Sequence, residues 1–221
     1  MGGLSTVNVL DAQWAVRWME QTARVVAENR TILMELDRAI GDADHGENLD
    51  RGFSAVAAKL TTGDPPSTPA AVLKQVATTL MSTVGGAAGP LYGTAFLRAA
   101  TSLGDADVID SEAVAAMIGA GRDGIVARGK AEAGDKTMVD AWTPAAEAAQ
   151  TAAKAGAKPP EVLAAAANAA HAGAVATEPL IARKGRASYL GERSAGHQDP
   201  GAVSTALILQ AAADAADGEV A

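Results

Sequence analysis

From Val9 to Asn29 apolar residues recur every three or four positions, and Leu10, Trp14, Val16, Met19, Ala23, Val26 and Ala27 make one stripe. That period predicts a first amphipathic helix. A second is expected from Arg30 to Ile40, with Ile32, Leu33, Leu36 and Ile40 apolar, ending at the Gly41 break. Further helices are predicted over residues 46–60 and 70–84, and from a Gly-rich turn to Leu103. A sixth starts from a Ser111 cap, a seventh covers 138–156 across Pro144, and the last two cover 160–183 and 202–216. Few segments read as strands, so the expected fold class is all-α.

The chain is rich in alanine and only 3% aromatic, which favours slender helices packed closely together. At 221 residues it is long enough for one sizeable core, and one domain over 1–221 is expected. A formal net charge of −8 argues against a nucleic-acid partner, which needs surplus Lys and Arg. Cysteine is absent, so disulfides, thiolate metal sites and thiol nucleophiles are excluded. No apolar run reaches about 18 residues. The Ala-rich stretch 161–182 contains Asn168, His171, Glu178 and Pro179 and reads as a buried bundle helix rather than a membrane span. The chain opens without a basic segment followed by an apolar one, so a cytoplasmic location is expected.

Three carboxylates, Asp37, Asp42 and Asp44, fall within eight residues, flanked by Gly41 and Gly46. Like charges this close stay ionised together only beside a cation. All-oxygen ligation suits Mg2+, which takes one or two carboxylates and fills its other positions with water and phosphate oxygens. A solvated acidic loop is the bland alternative. A calcium loop starting at Asp42 fails, because it would need Gly where Glu47 stands and Glu where Phe53 stands. A helix beginning at Gly46, Glu47 and Asn48 would aim its free N–H groups at a phosphate.

Two further segments carry candidate chemistry. The turn Gly85-Gly86-Ala87-Ala88-Gly89-Pro90-Leu91-Tyr92-Gly93-Thr94 is neither a Walker A loop nor Gly-x-Gly-x-x-Gly. It either lets two helices turn sharply or brings main-chain N–H groups close to a nucleotide phosphate. Residues 183–201 carry Arg183, Lys184, Arg186 and Arg193 against Glu192 and Asp199, a local balance of +2 in an acidic chain. The segment is long for a helix-helix connection, which points to function, and it could cover phosphates on the metal side. Residues 128–138 mix charge with glycine and suit a ligand rim.

Together the segments resemble the DhaL family, the nucleotide-binding subunits of dihydroxyacetone kinases. The resemblance rests on Asp37 with Gly-Asp-Ala-Asp-His-Gly at 41–46, the turn at 85–94, Arg-Gly-Lys-Ala-x2-Gly-Asp-Lys-Thr-Met at 128–138, and Lys-Gly-Arg-Ala-Ser-Tyr-Leu-Gly-Glu-Arg-Ser-x-Gly-His-Gln-Asp-Pro-Gly at 184–201. It runs in order from about residue 9 to 215. The resemblance implies a closed barrel of about eight mostly antiparallel helices with the nucleotide at one end. It further implies that Asp37, Asp42 and Asp44 hold two Mg2+ ions bridging the phosphates of ADP or ATP. His45, Gly46, Glu47, Asn48, Ala87, Ala88, Gly129, Met138, Arg186, Asp199, Pro200 and Gly201 match positions lining the nucleotide, with Arg186 positioning phosphate. Ala88 departs from the family, where Ser is common. The implied partners are a DhaK-like subunit holding the ketose and a DhaM-like phosphohistidine donor of the phosphoenolpyruvate phosphotransferase system. ATP exchange, with another short ketose such as erythrulose, is the alternative scheme, and a dinuclear-Mg helical hydrolase the rival class.

Overall fold

A computed structural model describes residues 9–62 and 66–217. Among the described residues nine α-helices run in order: α1 Ala12–Glu28, α2 Arg30–Ile40, α3 His45–Thr62, α4 Pro69–Thr83, α5 Ala88–Leu103, α6 Ser111–Gly129, α7 Val139–Lys154, α8 Pro159–Ala176 and α9 Pro200–Asp217. A short 3-10 segment, Arg186–Ser194, lies between α8 and α9. There is no strand among the described residues, and no helix there is long and apolar enough to cross a membrane.

The helices form a closed ring. From α9 back to α4 each packs on the one before it, and α4, α3 and α9 all pack on α1. The closing seam is antiparallel: Trp14 Nε1 donates to Ala212 O at 3.1 Å and Trp18 Nε1 to Ile208 O at 2.8 Å, so partners fall in number as donors rise. Inside the ring Trp14 stacks on Trp18 with centroids 5.3 Å apart, Trp18 meets Phe96 at 5.6 Å, and Phe96 meets Phe53 at 6.4 Å. These four rings concentrate much of the core's apolar area, and alanines fill α8 and α9, where backbones approach closely. His45, Ala88, Met138 and Pro200, at the starts of α3, α5, α7 and α9, line one cleft, so these four helices begin at the same end of the barrel.

Several expected boundaries move. The first helix buries Trp14, Ala15, Trp18, Met19, Thr22 and Val26, turning Ala27 out to solvent. Helix α5 begins inside the Gly-rich turn, at Ala88. Helix α6 is capped by Asp110, whose carboxylate accepts from Ala113 N at 2.8 Å, and not by Ser111, whose hydroxyl donates to Ala157 O at 2.6 Å. The Ala-rich helix stops at Ala176 and not at residue 183: Pro179 disfavours helix at Glu178, and Thr177 Oγ1 is held by Ala174 O at 2.6 Å. His171, on that helix, is exposed. Residues 63–65, in the connection between the helices predicted over 46–60 and 70–84, lie outside the described residues.

Candidate functional site

The acidic cluster is built by a helix end and a tight reversal. Asp37 lies in the last turn of α2 and is buried, at 8% exposure. Its Oδ2 accepts the N–H groups of Asp44 at 2.8 Å and His45 at 3.1 Å, so this one side chain caps α3 across the loop. The loop folds this way because Ala43 adopts φ 66 and because any Cβ on Gly41 would collide with Asp37 Oδ1. One oxygen from each of Asp37, Asp42 and Asp44 then lies within 4.8 Å of the others. Three hard oxygen donors at that separation, with no sulfur or imidazole among them, fit Mg2+ better than a softer ion.

Beside the cluster opens a cleft walled by the starts of four helices: His45 and Asn48 of α3, Ala87 and Ala88 at α5, Met138 at α7, and Asp199, Pro200 and Gly201 at α9. Four N-terminal dipole ends facing one cleft make a seat for anions. Gly86, at φ 63 with open space around it, and Gly85, packed against the Asn48 amide, bring backbone to the wall that side chains would otherwise fill. The Asn48 amide is in turn held by the Arg51 guanidinium.

A buried polar chain fixes these helix starts to one another. His45 Nε2 lies 2.9 Å from Ser204 Oγ, which lies 2.7 Å from the Tyr92 hydroxyl; Tyr92 also meets Thr205 Oγ1 at 3.0 Å and Gly201 O at 3.2 Å. Burial lowers the His45 pKa against the opposing pull of Asp37 and Asp44, leaving a neutral ring near pH 7. Burial likewise pushes the Tyr92 hydroxyl up. Asp199 caps α9 by accepting from Ala202 N at 2.7 Å, and burial pushes its carboxyl up to about 7.

The basic segment folds over the cluster. Arg186 Nε lies 2.9 Å from Asp42 Oδ2, with the arginine side chain 70% exposed. Ile40 of α2 packs with Ala182 and Ala187 in a small apolar cluster that holds the segment down.

Twelve of the residues singled out in the sequence therefore share this cleft: Asp37, Asp42, Asp44, His45, Asn48, Ala87, Ala88, Met138, Arg186, Asp199, Pro200 and Gly201. Three lie off its wall. Gly46 is packed on the α2 backbone at Arg30, Glu47 faces solvent, and Gly129 is exposed at the end of α6 beside Leu91. Residues missed by the sequence reading include Lys136, Thr137 and Ile40, all on the wall. Lys136 lies within the Gly-Asp-Lys-Thr-Met motif but carried no sign that it would be buried.

Comparison with known proteins agrees with this geometry. A sequence profile of the DAK2 domain family matches residues 39–214. The chain is 45% identical over 201 residues to the ADP-binding subunit DhaL of the PEP-dependent dihydroxyacetone kinase of Escherichia coli K12, covering 91% of this chain and 95% of that one. It is equally similar, at 45% over 201 residues and the same coverage, to the DhaL subunit of PEP-dependent dihydroxyacetone kinase 1 of Listeria innocua. Its fold matches the crystal structure of the C. freundii dihydroxyacetone kinase with a TM-score of 0.70 and 25% identity, over 97% of this chain but 37% of that longer one.

Proposed function

The chain belongs to the DAK2 domain family, and on that footing we propose that it is the nucleotide-bearing subunit of a dihydroxyacetone-type kinase, working as one domain. The observation that carries the proposal is the meeting of an all-carboxylate cluster, four helix N-termini and a cationic strap at one end of the barrel. A diphosphate has the charge and oxygen donors to satisfy all three at once.

Asp37, Asp42 and Asp44 would hold Mg2+, two ions on the family's pattern, which supplies charge neutralisation for the phosphate oxygens. Asp37 keeps the cluster and the start of α3 in register by taking two of that helix's free N–H groups. The N-terminal turns of α3, α5 and α9 bind phosphate through main-chain N–H groups, and at Ala88 no hydroxyl assists them. Arg186 adds a cation on the open side, where charge builds on the group in transfer. Phosphoryl transfer needs such positioning and neutralisation and little covalent work from protein side chains.

On the family's pattern the acceptor ketose is held by a separate DhaK-type subunit. The names of the bacterial relatives favour ADP that stays bound and is recharged by a phosphoenolpyruvate-dependent phosphohistidine partner. The test is reconstitution: the purified chain, a DhaK-type subunit and the phosphotransferase components are assayed for dihydroxyacetone phosphate. Product formed from phosphoenolpyruvate, with ADP retained by the chain through gel filtration, supports the reading. Product formed only when free ATP is supplied moves the assignment to the exchanging scheme, and none under either condition removes it.

A further inference from the structure

We propose that Lys136 is the positioning residue for Arg186, its ammonium acting as a peg around which the cationic strap is wound. The inference rests on the nucleotide reading above for its functional readout, though not for its structural one.

Lys136 stands just before α7 at φ 61, in the left-handed region, and is 1% exposed. Buried lysines are rare unless their charge is compensated. Here the compensation comes from main-chain oxygens: Nζ donates to Ser194 O at 2.7 Å, Leu180 O at 3.0 Å and Glu178 O at 3.3 Å. Three acceptors use all three N–H bonds of an ammonium, and a neutral amine has only two. Although it lines the cleft, the side chain therefore has no donor left for a phosphate. Its action must pass through what it holds.

What it holds is the strap at both ends. Glu178 and Leu180 lie where the chain leaves α8, and Ser194 lies where the 3-10 segment ends. Further bonds close the loop around the same point: Arg183 N to Asp135 O at 3.0 Å, Ala182 N to Ser194 Oγ at 2.8 Å, and Gly196 N to Glu178 O at 2.8 Å. Arg186 sits inside this closed loop, and its side chain is 70% exposed with an ion pair to Asp42. An exposed pair of that kind contributes little to order by itself. The placing of the guanidinium over the acidic cluster is thus set by the peg.

The experiment is a double-variant cycle with Lys136→Met and Arg186→Ala, read by calorimetric titration of ADP with Mg2+ and by hydrogen exchange of the amides from 182 to 196. Lys136→Met should lose those amides' protection while the ring helices keep theirs, and should bind ADP about tenfold more weakly, the scale of one charge-assisted contact. In the Arg186→Ala background the same change should cost little more, because residues acting through one another are not additive. Additive losses, or unchanged protection of the strap, overturn the proposal. If Lys136→Met does not fold, the cycle is run with Lys136→Gln, which keeps an amide donor; failure of both to fold shows that Lys136 supports the barrel itself and also overturns it. A wild-type chain that binds no ADP defeats the nucleotide reading, and the exchange data alone then decide the peg.

Discussion

Arg186 Nε lies 2.9 Å from the Asp42 carboxylate, joining the late basic segment to the early acidic loop at the mouth of one cleft. The pair is largely exposed, so its value lies in where it holds the guanidinium rather than in stability. Arg186→Ala should leave the melting temperature within about a degree, since exposed pairs contribute little. It should lower phosphoryl transfer about 100-fold in the reconstituted kinase, the scale of one lost charge-stabilising donor. Arg186→Lys should recover only part of this, because a point ammonium lacks the planar fork. Steady-state rates with saturating partner check both.

Ala88 begins α5 on the cleft wall. Ala88→Ser adds a hydroxyl at a position that tolerates one, and it should tighten ADP binding about threefold to tenfold, as one added hydrogen bond would. Calorimetric titration of the two proteins side by side measures this, and equal affinities would show that the hydroxyl finds no phosphate.

Asp199 gives the site a pH signature. Its carboxyl is raised from an ordinary value of 3.8 to about 7 by burial, against the pull of the Ala202 N–H bond. Between those values the folded chain holds a proton the unfolded chain has released, so stability falls as pH rises from about 4 to 7 and stays lower above. Asp199→Asn keeps an oxygen for Ala202 N and removes the titration. Its melting temperature should therefore gain on the wild type between pH 5 and pH 8. A constant difference across that range would place the carboxyl at its ordinary value.

The barrel's closure depends on a few indole contacts. Trp18→Phe keeps an aromatic ring beside Trp14 and Phe96 but removes the bond to Ile208 O across the seam between α1 and α9. A loss of about 1–2 kcal/mol is expected from the missing hydrogen bond and reduced apolar area, measured by urea unfolding.

Much of this was legible in the sequence because the signals were local. The Gly41 break put Asp37 in the final turn of α2, and helical periodicity found the α-helices to within a few residues except at the end of α8. At the start of α6 two local signals compete. Asp110 and Ser111 are both good caps and stand side by side. Alanine propensity carried α8 past Thr177, where tertiary bonds and Pro179 end it. Lys136 was unreadable for a different reason: three carbonyls brought together by the fold satisfy its ammonium, and nothing in its neighbours along the chain announces them. Gly46, Glu47 and Gly129 belong to informative motifs, yet the turn of the helix points them away from the cleft wall.

We infer that the Asp37, Asp42 and Asp44 cluster holds magnesium beneath a diphosphate. The most direct measurement is calorimetric titration of ADP into nucleotide-stripped protein, with Mg2+ and then with EDTA, repeated on Asp42→Ala. Tight one-to-one binding is expected for the wild type with Mg2+, and a loss of about 100-fold or more with EDTA or with the variant. Binding of equal strength in all cases would contradict it.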